Sequence, residues 1–302
     1  MRVEFAQAVI NEYISHKNIL FLTGDLGFMA LEKVQETFGE KFINMGIAEQ
    51  NMITMAASLA HEGFVPFVYS ISPFVTLRPY EQIRNDVCLH NLPVKIVGNG
   101  GGYGYGIMGS THHNIEDIGA MRILPNMKVY VPVTSQDVFD VVGLMIQDPS
   151  PNYLRLNMTA AIPDLPKFAP WRKFKSGSKL IIIGTGPILE NLYKLSIELF
   201  EQIEIWSVGI FPMEEIPVEL IRKIDQIRNV LTIEEHKGQC GLNEAVASLI
   251  LKKCSTSIIF DSIYANGYIS GKYGNQTFHQ EENDLAGSGL LSRIQKALNN
   301  II

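Results

Sequence analysis

FINMGIAEQNMITMAASLA, residues 42–60, is the stretch that decides the fold class of this 302-residue chain. The letters FIN are typical of the end of a buried strand, and Gly46 is typical of a turn. Apolar residues then recur at helical spacing on one side of the following segment and also line much of its other side: Ala48, Met52, Met55, Ala56 and Leu59, then Ile47, Ile53, Ala57 and Ala60. The stretch therefore predicts a strand, a tight turn and a helix that is buried on most of its circumference.

A single carboxylate, that of Glu49, stands in the first turn of this predicted helix with hardly any other charge nearby. On a protein surface, an acid at this position simply complements the helix dipole. In a buried helix, the carboxylate must be paired, hydrogen-bonded or protonated. Because the helix is predicted to be buried, Glu49 is a candidate for acid–base chemistry.

The composition of the whole chain is that of a soluble globular protein. Hydrophobic residues make up 46% and charged residues 19%, and 302 residues suffice for two domains. The formal net charge of -6, with no dense basic cluster, argues against nucleic acid or an anionic membrane as a partner. The start of the chain lacks the pattern of a signal peptide, and no apolar run has the length of a membrane span.

The cysteines support the same cellular location. Cys88, Cys240 and Cys254 lie far apart and form no CxxC motif, so neither a disulfide framework nor a zinc site is predicted. We expect a soluble, unprocessed protein in the reducing cytoplasm.

Strand-like and helical segments alternate along the whole chain. The strand-like runs of the first half lie at 18–24, 42–46, 64–70, 92–100 and 127–133. The alternation predicts an α/β fold in which helices cover a parallel sheet. Residues 162–179 contain three prolines and five basic residues without periodicity, and the alternation starts again at Leu180. We predict two domains of this type, 1–165 and 179–302, joined by a linker at 166–178.

Ligands of an open parallel sheet bind at the loops that follow the carboxyl ends of its strands. In the first half these loops carry two acids, aromatic residues, an arginine and a histidine: Asp25, Glu49, Phe74, Tyr80, Arg78 and His112. Six glycines lie between 98 and 106, but no lysine follows them at the spacing of an ATP-binding loop. Because so many glycines carry a large ordering cost, we predict that this loop contacts a ligand.

Two features of these loops have more than one explanation. His112 and His113 are adjacent, so their side chains should diverge; one is predicted to hydrogen-bond a polar substrate and the other to cap the helix that begins in IEDIGAMR. Phe74, Leu77 and Tyr80 are spaced three residues apart, which suits either a core stripe or a pocket for a flat ring. The acids on the same edge favour the pocket.

Taken together, several segments resemble the transketolase family of thiamine-diphosphate enzymes, in particular its pyrimidine-binding and C-terminal domains. The resemblance runs through nearly the whole chain and includes GDLG, FINMGIAEQNM, PFVTLRPYEQIRND, GYGIMGSTHHNIEDI and VLTIEEHKGQCGLNEAVA. It implies a transferase of aldehyde or ketone residues. It also implies that Glu49 activates the cofactor through a hydrogen bond to N1′ of the aminopyrimidine.

The resemblance implies roles for the other site residues. Residues that would contact the cofactor are Asp25, Ile47, Phe74, Leu77 and Tyr80. Residues that would contact the substrate are His112, at an oxygen of the donor sugar, and Arg155, at a phosphate. Arg78 would assist at the phosphate, although a structural salt bridge explains it equally well. Met108 stands where the family often has an aspartate, and Met29 and Gly100 also depart from the usual residues.

One part of the family's site is missing from the sequence. The family binds the pyrophosphate and the metal with a GDG motif and a downstream asparagine in an N-terminal domain, and this chain has no such pair. The chain therefore resembles the C-terminal subunit of a split enzyme, with no metal ligand of its own. We expect an N-terminal partner that binds Mg²⁺ or another divalent ion, in an α2β2 tetramer in which this chain also self-associates through both of its domains.

The expected reaction is transfer of a two-carbon ketol unit between sugars or sugar phosphates, with substrates that differ from those of the pentose phosphate pathway. Three alternatives remain. A reaction like that of deoxyxylulose-phosphate synthase would join a fragment of pyruvate to an aldehyde. The β subunit of a 2-oxo acid dehydrogenase has a similar architecture but different residues around the glutamate. A catalytically silent paralogue would only scaffold or regulate another enzyme.

Overall fold

The computed structural model describes residues 1–27, 29–159, 162 and 165–299. These residues form a seven-stranded and a five-stranded sheet, both mostly parallel and flanked by helices. The α/β class predicted from the sequence is confirmed. No helix among the described residues has both the length and the hydropathy needed to cross a membrane.

The first half of the chain contains six strands and seven α-helices. The strands are β1 (Ile19–Thr23), β2 (Phe42–Asn44), β3 (Val65–Ile71), β4 (Lys95–Asn99), β5 (Lys128–Tyr130) and β6 (Asn152–Leu156). The helices are α1 (Arg2–Ser15), α2 (Glu32–Phe38), α3 (Glu49–His61), α4 (Ser72–Thr76), α5 (Tyr80–Gln82), α6 (Asp117–Arg122) and α7 (Asp137–Gln147). A π-helical segment (Ile83–Cys88) continues α5, and 3₁₀ turns occur at Gly39–Lys41 and Gly106–Met108.

The second half repeats the alternation. Its strands are β7 (Trp171–Lys175), β8 (Leu180–Thr185), β9 (Ile203–Val208), β10 (Ile210–Phe211), β11 (Asn229–Glu234) and β12 (Ile259–Tyr264). Its helices are α8 (Ile197–Phe200), α9 (Val218–Ile227), α10 (Leu242–Lys253), α11 (Gln276–Glu282) and α12 (Gly287–Asn299), with a 3₁₀ segment at Pro187–Lys194.

The order of the strands creates a crevice in the first sheet. Its order is β10-β5-β6-β4-β3-β1-β2, and the order of the second sheet is β12-β11-β8-β9-β7. Only β10 and β7 pair antiparallel with their neighbours. Because β1 lies between β2 and β3, the successive connections leave it toward opposite sides. Such a switch point is where ligands of open α/β sheets bind.

Three strands differ from the sequence prediction. Strand β6 was not predicted, β7 lies inside the predicted linker at 166–178, and β10 extends the sheet of the other half. Strand β7 carries basic residues that suggested a linker, but Arg172 is buried there and pairs with Asp137 of α7 at 2.8 Å. A partner 35 residues away thus allows a charged segment to form an edge strand.

The core is continuous between the two halves. One cluster of buried side chains includes Ile53 and Val129 from the first half and Ile183 and Phe211 from the second. Strands β1 and β8 are buried along their whole length, as expected for parallel strands that are covered on both faces. The loops at the carboxyl edge of the first sheet therefore rest on a rigid base.

Candidate active site

The loops after β1 to β4 bring the predicted site residues to one edge of the seven-stranded sheet. Asp25 follows β1, Glu49 follows β2, Phe74 and Arg78 follow β3, and His112 lies in the long loop after β4. In a parallel sheet all of these loops start from the same edge. The edge that carries them includes the crevice between β1 and β3.

Glu49 is the first residue of α3, and it is 5% exposed. Strand β2 ends at Asn44, and Gly46, with a φ of 71°, makes the turn that leads into the helix. The Asn44 side-chain oxygen fixes this turn by accepting hydrogen bonds of 3.0 Å from the N–H groups of Gly46 and Asp25. The carboxylate is thus buried in the first helical turn.

The Glu49 carboxylate has a cationic partner. Nη1 of Arg78 donates hydrogen bonds to Oε1 and Oε2 of Glu49 at 3.1 and 3.2 Å. The guanidinium carbon of Arg78 also lies 3.7 Å from the centroid of the Phe74 ring. The Arg78 side chain is 46% exposed, so the pair joins the interior to the surface. The salt bridge that the sequence left open for Arg78 is the contact observed here.

Four other predicted contact residues lie at the exposed rim of this site. Asp25 is exposed, and its Oδ1 accepts a hydrogen bond of 3.0 Å from Asn44 Nδ2. Ile47 is 79% exposed, so the expectation that it lines a buried side of the helix is wrong. It precedes α3, and helical spacing therefore does not apply to it. Leu77 and Met108 are also exposed.

Tyr80 has a structural partner of its own. Its hydroxyl donates a hydrogen bond of 2.7 Å to the backbone oxygen of Ala120 in α6. Burial raises the pKa of Tyr80, which keeps the hydroxyl protonated and able to donate. Its side chain packs against the core, so the core-stripe explanation accounts for Tyr80. A contact between Tyr80 and a cofactor stays a prediction.

The adjacent histidines diverge. His112 is half-buried with its ring 5.2 Å from that of Phe74, while Nδ1 lies 2.9 Å from Thr111 Oγ1. His113 is buried, with Nε2 at 2.7 Å from Gly106 O and Nδ1 at 3.0 Å from Tyr268 Oη. His113 therefore joins the glycine-rich loop to the second half and caps no helix. Across the described part of the chain, no three His, Cys, Asp or Glu residues are arranged to hold a metal ion.

Arg155 is not placed to bind a substrate phosphate. It is 2% exposed, and its Nε donates to both carboxylate oxygens of Asp117 at 3.1 and 2.8 Å. Its Nη2 donates to the backbone oxygens of Asn114 and Glu235. The predicted role fails because the guanidinium is enclosed by the protein and is neutralised by a carboxylate that the sequence pattern does not reveal.

The glycine-rich loop contacts the second half of the chain more closely than the expectation of a ligand-contacting loop allows. A Cβ at Gly101 would overlap Arg155, and one at Gly102 would overlap the Glu235 carboxylate. Tyr103, between this pair and the rest of the loop, is fully buried. These glycines are explained by the close approach of buried side chains.

Sequence reasoning missed Glu235 as an organising residue. Its Oε1 accepts hydrogen bonds from Tyr103 N at 2.7 Å and from Gln276 Nε2 at 2.9 Å, and Gln280 donates to Oε2. Next to it, His236 Nε2 accepts a hydrogen bond of 3.0 Å from Gly119 N. The available signal was the pair of acids that ends the apolar run NVLTIEEH, since a buried acid needs partners from elsewhere.

Acid is expected to weaken the contact that His113 makes. Burial lowers the pKa of His113 to about 4, from the ordinary value of 6.5. Between these values the unfolded chain binds a proton that the folded chain does not, so the folded state loses stability as the pH falls through this window. We expect the free energy of unfolding of the wild type, relative to His113→Gln, to fall by about 3 kcal/mol from pH 7 to pH 4.

Urea titrations at several pH values test this expectation, with His61→Gln as the control because His61 is exposed. A constant difference between the wild type and His113→Gln over this range would contradict it.

Known proteins resemble both parts of the chain. Residues 1–161 match the family described as "Transketolase, pyrimidine binding domain". One of the two subunits of an apulose-4-phosphate transketolase, from Phocaeicola vulgatus, is 29% identical over 259 residues, which span 82% of this chain and 83% of that protein. A "Putative transketolase C-terminal section" from Methanocaldococcus jannaschii is 33% identical over 259 residues, 83% of this chain and 81% of that protein.

A solved structure leads to the same group of proteins. The structure described as "Split gene transketolase, inactive beta4 tetramer" matches with a TM-score of 0.83 at 27% identity, over 98% of this chain and 97% of that one. A 1-deoxy-D-xylulose-5-phosphate synthase from Clostridium perfringens is 28% identical over 72% of this chain but only 36% of that longer protein. The relatives that match over most of both chains are thus transketolase sections.

Proposed function

The chain belongs to the transketolase family as a C-terminal section of the split type, and we propose that it joins an N-terminal subunit to transfer a two-carbon ketol unit between sugars. In this proposal the chain binds and activates the aminopyrimidine end of thiamine diphosphate. The observation that carries the proposal is the buried carboxylate of Glu49, which shares one planar group with the ring of Phe74.

The donor and acceptor chemistry of these residues fits the aminopyrimidine. Glu49 accepts hydrogen bonds from a flat cationic group, and Phe74 contacts the face of that group. An aminopyrimidine is likewise flat and carries a proton at N1′ when it is activated. Glu49 and Phe74 would hold this ring, with Asp25, Ile47, Leu77 and Tyr80 as the further contacts that the family resemblance implies.

Thiamine diphosphate, when bound, supplies the carbanion chemistry that breaks and forms carbon–carbon bonds next to a carbonyl. The part of Glu49 is to hold the proton at N1′, for which a buried carboxylate at the start of a helix is suited. The part of His112, at the rim beside Phe74, is to donate a hydrogen bond from Nε2 to an oxygen of the donor sugar.

The rim of the site supports a protein partner. Large apolar side chains are exposed in the loops after β1 to β4: Met29, Ile47, Leu77, Ile107 and Met108. Exposed apolar patches of this kind mark interaction surfaces. We assign this rim to the N-terminal subunit that carries the pyrophosphate and the Mg²⁺ or other divalent ion, in an α2β2 tetramer in which copies of this chain also contact each other.

The cysteines and the rim support two further parts of the proposal. Cys88, Cys240 and Cys254 are all free thiols, which suits a reducing cytoplasm. Met29 and Met108 are apolar where sugar-phosphate contacts are usual in the family, and the Tyr105 ring fills the space where Gly100 lacks a side chain. The substrates should therefore differ from xylulose 5-phosphate and ribose 5-phosphate.

Reconstitution with the N-terminal companion tests the proposal. We expect the purified chain to show no ketol transfer with thiamine diphosphate and Mg²⁺, and the complex to transfer ketol units between sugars, with poor efficiency for the two pentose phosphates. Chromatography of the products measures the transfer. Full activity of the chain alone would overturn the split-enzyme assignment, and release of carbon dioxide from pyruvate would favour the synthase reaction.

A further inference from the structure

Arg78 occupies an unusual position between the two residues that define the proposed cofactor site. Its Nη1 contacts both Glu49 carboxylate oxygens at 3.1 and 3.2 Å, and its guanidinium carbon lies 3.7 Å from the Phe74 centroid. One flat group is therefore stacked on the ring and hydrogen-bonded to the acid at the same time.

These two contacts are the ones that a flat, N–H-bearing aminopyrimidine needs. A guanidinium is planar, carries its N–H donors in the plane and stacks on aromatic faces. A ring that is to contact the same face of Phe74 and the same oxygens of Glu49 meets the Arg78 side chain there. Both groups cannot fill one place.

We propose that Arg78 fills the aminopyrimidine position in the cofactor-free chain and leaves it when thiamine diphosphate binds. This inference rests on the proposed function, because it takes Glu49 and Phe74 as the residues that hold the cofactor ring. Arg78 then competes with the cofactor. A chain without cofactor has its activating acid paired and covered.

The surroundings of Arg78 allow it to leave. It lies in the turn at 77–79 between α4 and α5, and nearly half of its side chain is exposed. Among the described residues, Glu49 is the sole side-chain hydrogen-bond acceptor of its guanidinium. An ion pair with one half-exposed partner is weak and screened by salt. The guanidinium thus has a short path into water, and no buried partner other than Glu49 is lost.

Leaving Glu49 also makes the Arg78 charge available at the rim. In the paired state, the guanidinium is neutralised and turned toward the carboxylate. Once released, it is free to meet an anionic group of a substrate, as the resemblance implied for this residue. Competition with the cofactor and a substrate contact are therefore two successive states of one side chain.

Competition has a measurable effect on cofactor affinity. When a site is closed in most molecules, the apparent dissociation constant rises by the reciprocal of the open fraction. If Arg78 fills the site in about nine of ten molecules, its removal strengthens cofactor binding about tenfold. Arg84→Ala is a matched control, because Arg84 lies six residues further on and donates to the neighbouring Asn85.

The experiment is a calorimetric titration of thiamine diphosphate, at saturating Mg²⁺, into the complex reconstituted with wild-type chain, Arg78→Ala, Arg78→Gln or Arg84→Ala. We expect Arg78→Ala and Arg78→Gln to bind about tenfold more tightly than the wild type, and Arg84→Ala to bind like it. Equal or weaker binding by both Arg78 variants would overturn this inference while the wild-type affinity leaves the proposed function intact. A wild-type complex that does not bind thiamine diphosphate would instead overturn the proposed function.

Discussion

Replacing Glu49 with glutamine is expected to lower kcat of the reconstituted enzyme by a factor of about 100 or more, because proton transfer by a positioned side chain contributes roughly 10²–10⁴-fold. Glutamine keeps the shape of the side chain but cannot hold the proton at N1′. Its side-chain oxygen still accepts a hydrogen bond from Arg78, which is half exposed. The free energy of unfolding should therefore change by no more than about 1 kcal/mol.

Initial rates with saturating thiamine diphosphate measure the effect, and urea titration measures stability. Glu62→Gln is the control, because Glu62 is an exposed acid that directly follows the other end of α3. An undiminished rate for Glu49→Gln in a complex that assembles normally would show that this chain does not supply the activating acid. The silent-scaffold alternative would then gain support.

The features that the sequence predicted well depend on neighbours along the chain. The strand, turn and helix around Glu49 follow from the apolar spacing in 42–60 and from Gly46, and the structure has β2, the turn and α3 there. The alternation of elements likewise predicted the α/β class. Burial of Glu49 followed from the apolar residues on most sides of its helix.

The features that the sequence did not reveal depend on residues far apart in the chain. Strand β6 is buried along its length although it contains Asn152 and Arg155. Lys95 donates a hydrogen bond of 2.8 Å to Asn152, and Asp117 neutralises Arg155. These partners satisfy the polar side chains, so the strand lacks the apolar pattern that marks a buried strand.

The same limitation governs the site. Arg78 reaches Glu49 across 29 positions of sequence, and Glu235 reaches Tyr103 across 132. A motif identifies residues that a family uses but does not say whether a given guanidinium lies at the surface or in the core. The role first expected of Arg155 failed for this reason, whereas Arg78 remains at the rim of the site.

Replacing Arg155 with methionine is expected to lower the free energy of unfolding by roughly 3–5 kcal/mol, because removal of one partner leaves a buried charge uncompensated. Asp117 is fully buried and would retain only hydrogen bonds from neutral groups, among them the Tyr153 hydroxyl at 2.8 Å. Arg293→Met is the control: its pair with Asp261 is partly exposed, so its loss should cost less than about 1 kcal/mol.

The double variant Arg155→Met with Asp117→Asn separates charge from packing. Asparagine removes the buried charge and can still accept the hydrogen bond from Tyr153, so we expect it to restore at least half of the lost stability in urea titrations. If Arg155 instead bound a substrate phosphate, the single variant would fold with normal stability and raise KM for phosphorylated sugars. A stable Arg155→Met protein with raised KM would therefore contradict the structural role, since a fully enclosed guanidinium can affect the substrate only through the fold.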